Sequence, residues 1–201
     1  MAQFHISPIG EFVGFLYLNN PDTAFNQSVF KNQLALEGKA AEDLKAKIDG
    51  GAKAHLAKHT EEMTPAQAKK WSLYVPYEDE EDDEGEPTGR TIFHFKQNSE
   101  IKTKEGDIKE VNIEIRDAKD NVVDVKVFSG SEGRIMFSMR GIEMSSTKQA
   151  GVRLDFYKVQ VTKLKKGGGS SQGFGAVEGG YEADAGDQGF GETDGEEAGD
   201  Y

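Results

Sequence analysis

Apolar and polar residues alternate through much of the second half of the chain. Val111, Ile113 and Ile115 alternate with Glu110, Asn112, Glu114 and Arg116, and Val123, Val125 and Val127 are interleaved with Asp124 and Lys126. Ile135, Phe137 and Met139 follow, set against Arg134, Ser138 and Arg140. Val152, Leu154 and Phe156 then alternate with Arg153, Asp155 and Tyr157, and Val159 and Val161 extend the pattern. A period of two is what a strand with one buried face requires. The turn Ala118-Lys119-Asp120-Asn121 predicts a hairpin between the first two runs, and Ser129-Gly130-Ser131-Glu132-Gly133 predicts a loop after it. Upstream, Phe12 to Leu18, Val29 to Leu36 and Thr91 to Lys96 are further strand candidates.

Between these lies a segment of helical period. Ala40 to His59 carries Leu44, Ile48 and Leu56 among Lys, Glu and Asp, and Gly50-Gly51 is expected to weaken or break the helix. Thr64-Pro65-Ala66-Gln67 has the form of a capping box with proline at the first helical position, opening a short helix toward Trp71. Strands outnumber helices and βαβ crossovers are absent, so a small antiparallel barrel is expected, with residues 40–75 as a helical insertion.

Composition adds a boundary. From Gly167 onward the chain is Gly-rich and acidic, opening with Gly167-Gly168-Gly169-Ser170-Ser171 and carrying Phe174, Val177, Tyr181, Phe190 and Tyr201 as its few large apolar residues. So apolar-poor a segment cannot offset the entropy of ordering, so residues 167–201 read as a disordered tail on a domain of residues 1–166. Charge is segregated in the same way. Of a formal net charge of −12, nine Asp/Glu and no Lys/Arg lie in 167–201 and eight acids lie in Glu78 to Glu86, so the rest of the chain carries +5. The acidic run itself reads as a solvated loop over 78–88. The chain has no cysteine, which excludes disulfides and thiolate sites. No signal peptide is visible at Met1 to His5 and no apolar run reaches 18 residues, so a soluble intracellular protein without membrane association is expected.

No catalytic signature stands out, and a non-enzymatic protein is expected. There is no Gly-rich phosphate loop, nucleophile elbow or His-Glu-x-x-His. His55 and His59 have metal-ligand spacing on the helix, but no obvious carboxylate or third histidine completes a site, so neither metal nor cofactor is assigned. Single-stranded DNA asks for a different set: cations spaced along a groove and aromatic faces for splayed bases. Trp71, Tyr74 and Tyr77, just after Lys69 and Lys70, are candidates for stacking, and they serve equally well to pack the short helix. On the Thr91 to Lys96 strand, Phe93 and Phe95 take the core face, leaving His94 and Lys96, with Arg90 before them, for a groove. Lys31 on the Val29 to Leu36 strand belongs with these, and Arg134, Arg140, Lys148 and Arg153 could continue a basic track.

The stretch from Val111 to Gly169 resembles the T7-type bacteriophage single-stranded DNA-binding protein family. The likeness rests on Arg116-Asp117-Ala118-Lys119-Asp120, a valine-rich strand, Arg134-Ile135-Met136-Phe137-Ser138-Met139, Gly151-Val152-Arg153-Leu154, Val159-Gln160-Val161 and a triple glycine before an acidic tail. Pro76-Tyr77-Glu78 and Phe93-His94-Phe95-Lys96 are smaller matches upstream. The resemblance implies a mainly β protein built on an OB-fold five-stranded antiparallel barrel. It also implies a homodimer in the cytoplasm of an infected bacterial host, coating single-stranded DNA during replication, recombination and repair. The tail, ending at Asp200 and Tyr201, would compete for the groove and contact replication proteins such as polymerase, helicase or primase. His94 and Lys96 fall where the family has DNA-contacting lysines, one of them replaced here by histidine. Asn98 stands where a stacking tyrosine is expected, and the acidic run after Tyr77 is unusual for the family. Two other readings make different predictions: a carboxylate-dependent nuclease would cleave with divalent cations, and an acidic chaperone-like interaction protein would not bind single-stranded DNA.

Overall fold

The alternating runs that begin at Arg134 and Val152 become long strands of the computed structural model, which describes residues 3–24, 27–103 and 106–165. In chain order the elements are β1 (Phe4–Ile6), β2 (Gly10–Asp22), β3 (Val29–Glu37), α1 (Gly38–Thr60), α2 (Pro65–Ala68), β4 (Ser72–Tyr74), β5 (Tyr77–Glu81), β6 (Pro87–Asn98), β7 (Glu100–Lys102), β8 (Ile108–Glu110), β9 (Glu114–Arg116), β10 (Glu132–Met144) and β11 (Gln149–Lys163). The fold is mainly β, as the alternation predicts.

Pairings close a ring: β2 with β3, β3 with β6, β6 with β11, β11 with β10, and β10 back to β2. Inside it the every-second-residue rule places Phe12, Leu34, Phe93, Phe95, Phe137, Leu154 and Phe156, all at most 1% exposed. The rings of Phe137 and Phe156 meet Phe95 edge-on, with centroids 5.3 and 6.5 Å away. Each such phenylalanine contributes about 1.5–3 kcal/mol by leaving water.

The expectation of a five-stranded antiparallel barrel is met only in part. Among the described residues the sheet has nine strands, with β1, β4, β5 and β9 added at the margins of the ring. β11 runs parallel to β4, β6 and β9. The chain after β6 passes through β7, β8, β9 and β10 before β11, far enough to bring that strand back in the same direction.

Three local expectations are corrected. The helix runs unbroken from Gly38 to Thr60 through Gly50-Gly51, because Ala41, Leu44, Ile48 and Ala52 form one buried stripe. A Cβ on Gly51 would sit 3.3 Å from the Met139 sulfur, so glycine there lets helix and sheet close up. Packing of the stripe offsets the weak helix propensity. The acidic run forms no loop at its start; it supplies β5, which pairs with β6 before a turn at Asp82 to Glu86. Among the described residues the valine-rich run after Asn121 forms no strand of the expected hairpin; it meets β9 through one bridge, Arg116 with Val122, and a hydrogen bond from Val123 N to Ile115 O. The capping box forms as expected: Gln67 N donates to Thr64 Oγ1 and Thr64 N donates to Gln67 Oε1. Residues 167–201, with Asp200 and Tyr201, lie outside the described residues.

Candidate nucleic-acid interface

The outer face of the ring carries the residues that alternate with the core. On β6 these are Arg90, Ile92, His94, Lys96 and Asn98. Register places Lys31 of β3 beside Lys96, Gln33 beside His94, and Tyr17 of β2 beside Lys31. A bulge shapes the surface here. β2 loses its register with β3 between Val13 and Tyr17, and Gly14 adopts φ +69°. A Cβ at that position would lie 2.4 Å from Gln33 Oε1, so glycine answers both the backbone angle and the contact. The bulge turns Phe15 outward, leaving it 85% exposed.

The result is a groove of about 310 Å³ whose lining includes Phe15, Tyr17, Lys31, Gln33, His94 and Lys96. Phe15 and Tyr17 also border a second hollow of about 500 Å³ that reaches Lys126 and Phe128. Phe15 and Tyr17 therefore border two adjoining hollows that hold Lys31 and Lys96 on one side and Lys126 on the other. That is what stacking bases and a phosphate backbone need.

The basic side chains differ in how far they are committed. Lys96 is exposed and forms no ion pair among the described residues. Lys31 Nζ is 2.5 Å from Asp22 Oδ2 and lies 5.8 Å from the centre of the Tyr17 ring. The hydrogen bond from Lys31 holds the Asp22 carboxyl below the usual carboxylate range. His94 Nε2 is 3.2 Å from Glu78 Oε1. Arg90 is shared between Glu11, at 3.1 Å, and Glu80, at 3.4 Å.

Beyond Lys96 the surface continues onto β11, where Asp155 is its register neighbour. Arg153 Nε bonds Asp155 Oδ1 at 2.5 Å and Arg140 Nε approaches Oδ2 at 3.1 Å, so two guanidiniums share one nearly buried carboxylate. Arg153 also donates to Asn98 Oδ1 at 3.1 Å. Tyr74 of β4 pairs with Gly151 of β11; burial raises its hydroxyl pKa and the charge of Arg153 opposes that rise. A Cβ on Gly151 would fall 1.9 Å from Tyr74 O, so only glycine lets β4 lie this close.

The remaining sequence candidates are elsewhere. Trp71 packs edge-on to His59 at 4.2 Å, and Lys148 Nζ sits 5.4 Å above its ring, with Lys69 and Lys70 exposed just before it. His55 and His59 approach Glu143 Oε1, at 2.7 and 4.0 Å. Among the described residues no group of three His, Cys, Asp or Glu is arranged to hold a metal. Arg134 bonds Gln160 and joins Arg116 and Lys158 around a separate small cavity near Ile6. Tyr77 is turned toward α1: its hydroxyl donates to Asp49 Oδ1 at 2.6 Å and its ring packs on Phe93 at 5.6 Å. Burial and the neighbouring Asp49 carboxylate push the Tyr77 hydroxyl pKa up.

No protein-family model matches the chain, and no curated protein matches it in sequence. Solved structures do match. The crystal structure of gp2.5, a single-stranded DNA binding protein encoded by bacteriophage T7, superposes with a TM-score of 0.72 at 20% identity, covering 91% of this chain and 100% of that one. The single-stranded DNA-binding protein from bacteriophage Enc34, in complex with single-stranded DNA, superposes at 0.56 and 9% identity, covering 81% and 88% of the two chains. This chain has their fold. At such identities the likeness is one of architecture, and it bears out the resemblance read from the order of motifs from Val111 to Gly169.

Phe15, Tyr17, Lys126 and Phe128 were not singled out by sequence reasoning. The run Phe12 to Leu18 is apolar or aromatic at every position except Gly14, so alternation cannot say which ring faces out. The signal was Gly14 itself: a glycine inside a strand marks a bulge.

Proposed function

We propose that this chain is a sequence-tolerant single-stranded DNA-binding protein that uses the outer face of β2, β3 and β6 as its groove. The observation that carries the reading is the juxtaposition of exposed Phe15 and half-buried Tyr17 with Lys31 and Lys96 across three adjacent strands. Stacking is indifferent to base identity because every base has a π-face, and ammonium groups neutralise phosphates of any sequence. Arg153 and Arg140 extend the track onto β11 and β10, and Tyr74, Trp71 and Lys148 lie at its far end. The ring of β2, β3, β6, β11 and β10 is read as an OB-type barrel, whose corresponding strands and loops commonly hold oligonucleotides.

In this reading the protein is not an enzyme. It coats single strands in a phage-infected bacterial cell during replication, recombination and repair, as a homodimer. The acidic segment 167–201 competes for the groove and contacts replication proteins. The fold shared with the T7 and Enc34 proteins, one of them complexed with single-stranded DNA, supports the binding role.

The test is a fluorescence titration of the protein with oligo-dT across a salt series. Saturable quenching of Trp and Tyr emission is expected, with log K falling by about 0.7 for each phosphate neutralised per unit of log salt. Absence of binding at low salt would refute the proposal.

A further inference from the structure

The outer face of β2, β3 and β6 has two unlike ends. At one end stand Lys31 and Lys96; at the other, Glu11 and Glu80 engage Arg90, Glu37 is its register neighbour, and Glu78 reaches His94. The difference comes from β5. It pairs with the first half of β6, with Tyr77 opposite Phe93, Glu78 opposite Ile92 and Asp79 opposite Thr91. Its side chains alternate as a strand's must. Tyr77 and Asp79 are held from the α1 side, Tyr77 by Asp49 and Asp79 by Lys45 at 2.8 Å. Glu78 and Glu80 take the other face and reach His94 and Arg90. Thr88 Oγ1 donates to Glu80 Oε2 at 2.8 Å, fixing that carboxylate further. Two of the basic side chains on β6, His94 and Arg90, are therefore already engaged by carboxylates of the same chain, and these carboxylates sit where a nucleic acid following β6 would run.

We infer that the β5–β6 hairpin is an electrostatic stop that closes one end of the groove. This rests on the proposed function above. Single-stranded DNA lies over Phe15, Tyr17, Lys31 and Lys96 and is turned away before Arg90. The hairpin thereby limits the number of nucleotides each protomer covers.

The experiment compares the full chain with a Glu78→Gln/Glu80→Gln variant and with an Asp83→Asn/Glu84→Gln variant. The second pair removes the same charge from the exposed turn, away from His94 and Arg90. Each protein is titrated with oligo-dT of increasing length across a salt series, and circular dichroism melts confirm folding. The first variant should bind about threefold or more tightly at low salt, with a salt slope steeper by about 0.7 for each cation released to a phosphate. Its occluded length should also grow, and the turn variant should change little. Equal responses from the two variants, or no change in the first while the unmodified chain binds, would overturn the stop and leave the groove standing. Failure of the unmodified chain to bind would remove both.

Discussion

Phe15 and Lys96 sit on one surface but act through different physics, and that difference can be measured. Phe15 is 85% exposed, so replacing it by alanine costs the fold little and removes one stacking face. Phe15→Ala should weaken oligo-dT binding by about 1–3 kcal/mol and leave the salt slope nearly unchanged. Lys96→Ala should instead flatten the slope by about 0.7 and weaken binding mainly at low salt. Titrations at two salt concentrations check both; identical signatures for the two variants would refute the division. Lys96 and His94 were legible in the sequence because Phe93 and Phe95 share the opposite face of a regular strand. Phe15 was hidden because its run lacks polar alternation and its direction is set by one backbone angle at Gly14. The aromatic ambiguity at Tyr77 was likewise resolved only by a partner, Asp49, from a helix 28 residues upstream.

The elements show the same mixture. Long regular strands could be read from period alone, and the capping box named the start of α2 to the residue. The short marginal strands could not, since three residues hold too few alternations and are recruited by neighbours. β9 is an instance: Glu114 to Arg116 is held along β11 by register and by an ionic knot, where Glu114 Oε1 accepts from Arg116 Nε at 2.5 Å and from Lys158 Nζ at 2.9 Å. Those two bonds hold the Glu114 carboxyl at about 2, against an ordinary 4.5. A depressed folded-state pKa adds stability that is complete above the unfolded value and is lost as pH falls through the folded one. The window therefore runs from about 4.5 down to about 2. Urea midpoints of the unmodified chain should drop across that window more steeply than those of Glu114→Gln, which should already be less stable at neutral pH. High salt should narrow the gap, because the knot is solvent-screened. Parallel pH profiles for the two proteins would show that the knot contributes nothing to holding β9.

For the whole chain, the net charge of −12 is a poor guide to the surface that a ligand meets. Nine of the acids lie in residues 167–201 and eight in Glu78 to Glu86, while the face formed by β2, β3 and β6 carries Lys31 and Lys96. A tethered polyanion competes with free nucleic acid at an effective concentration set by its tether, which reaches the millimolar range for short flexible links. Competition of that kind is electrostatic, so it must fade with salt. A chain ending at Lys166 should therefore bind oligo-dT more tightly than the full chain, by on the order of tenfold at low salt. The two affinities should converge as salt approaches about 1 M, where screening acts within about 3 Å. The tail's effect should also be additive with that of Glu78→Gln/Glu80→Gln if the two acidic segments act at different places, and less than additive if both oppose the same phosphates. Unchanged or weaker binding by the truncated chain would refute competition. The groove would then owe its salt dependence to its own cations alone.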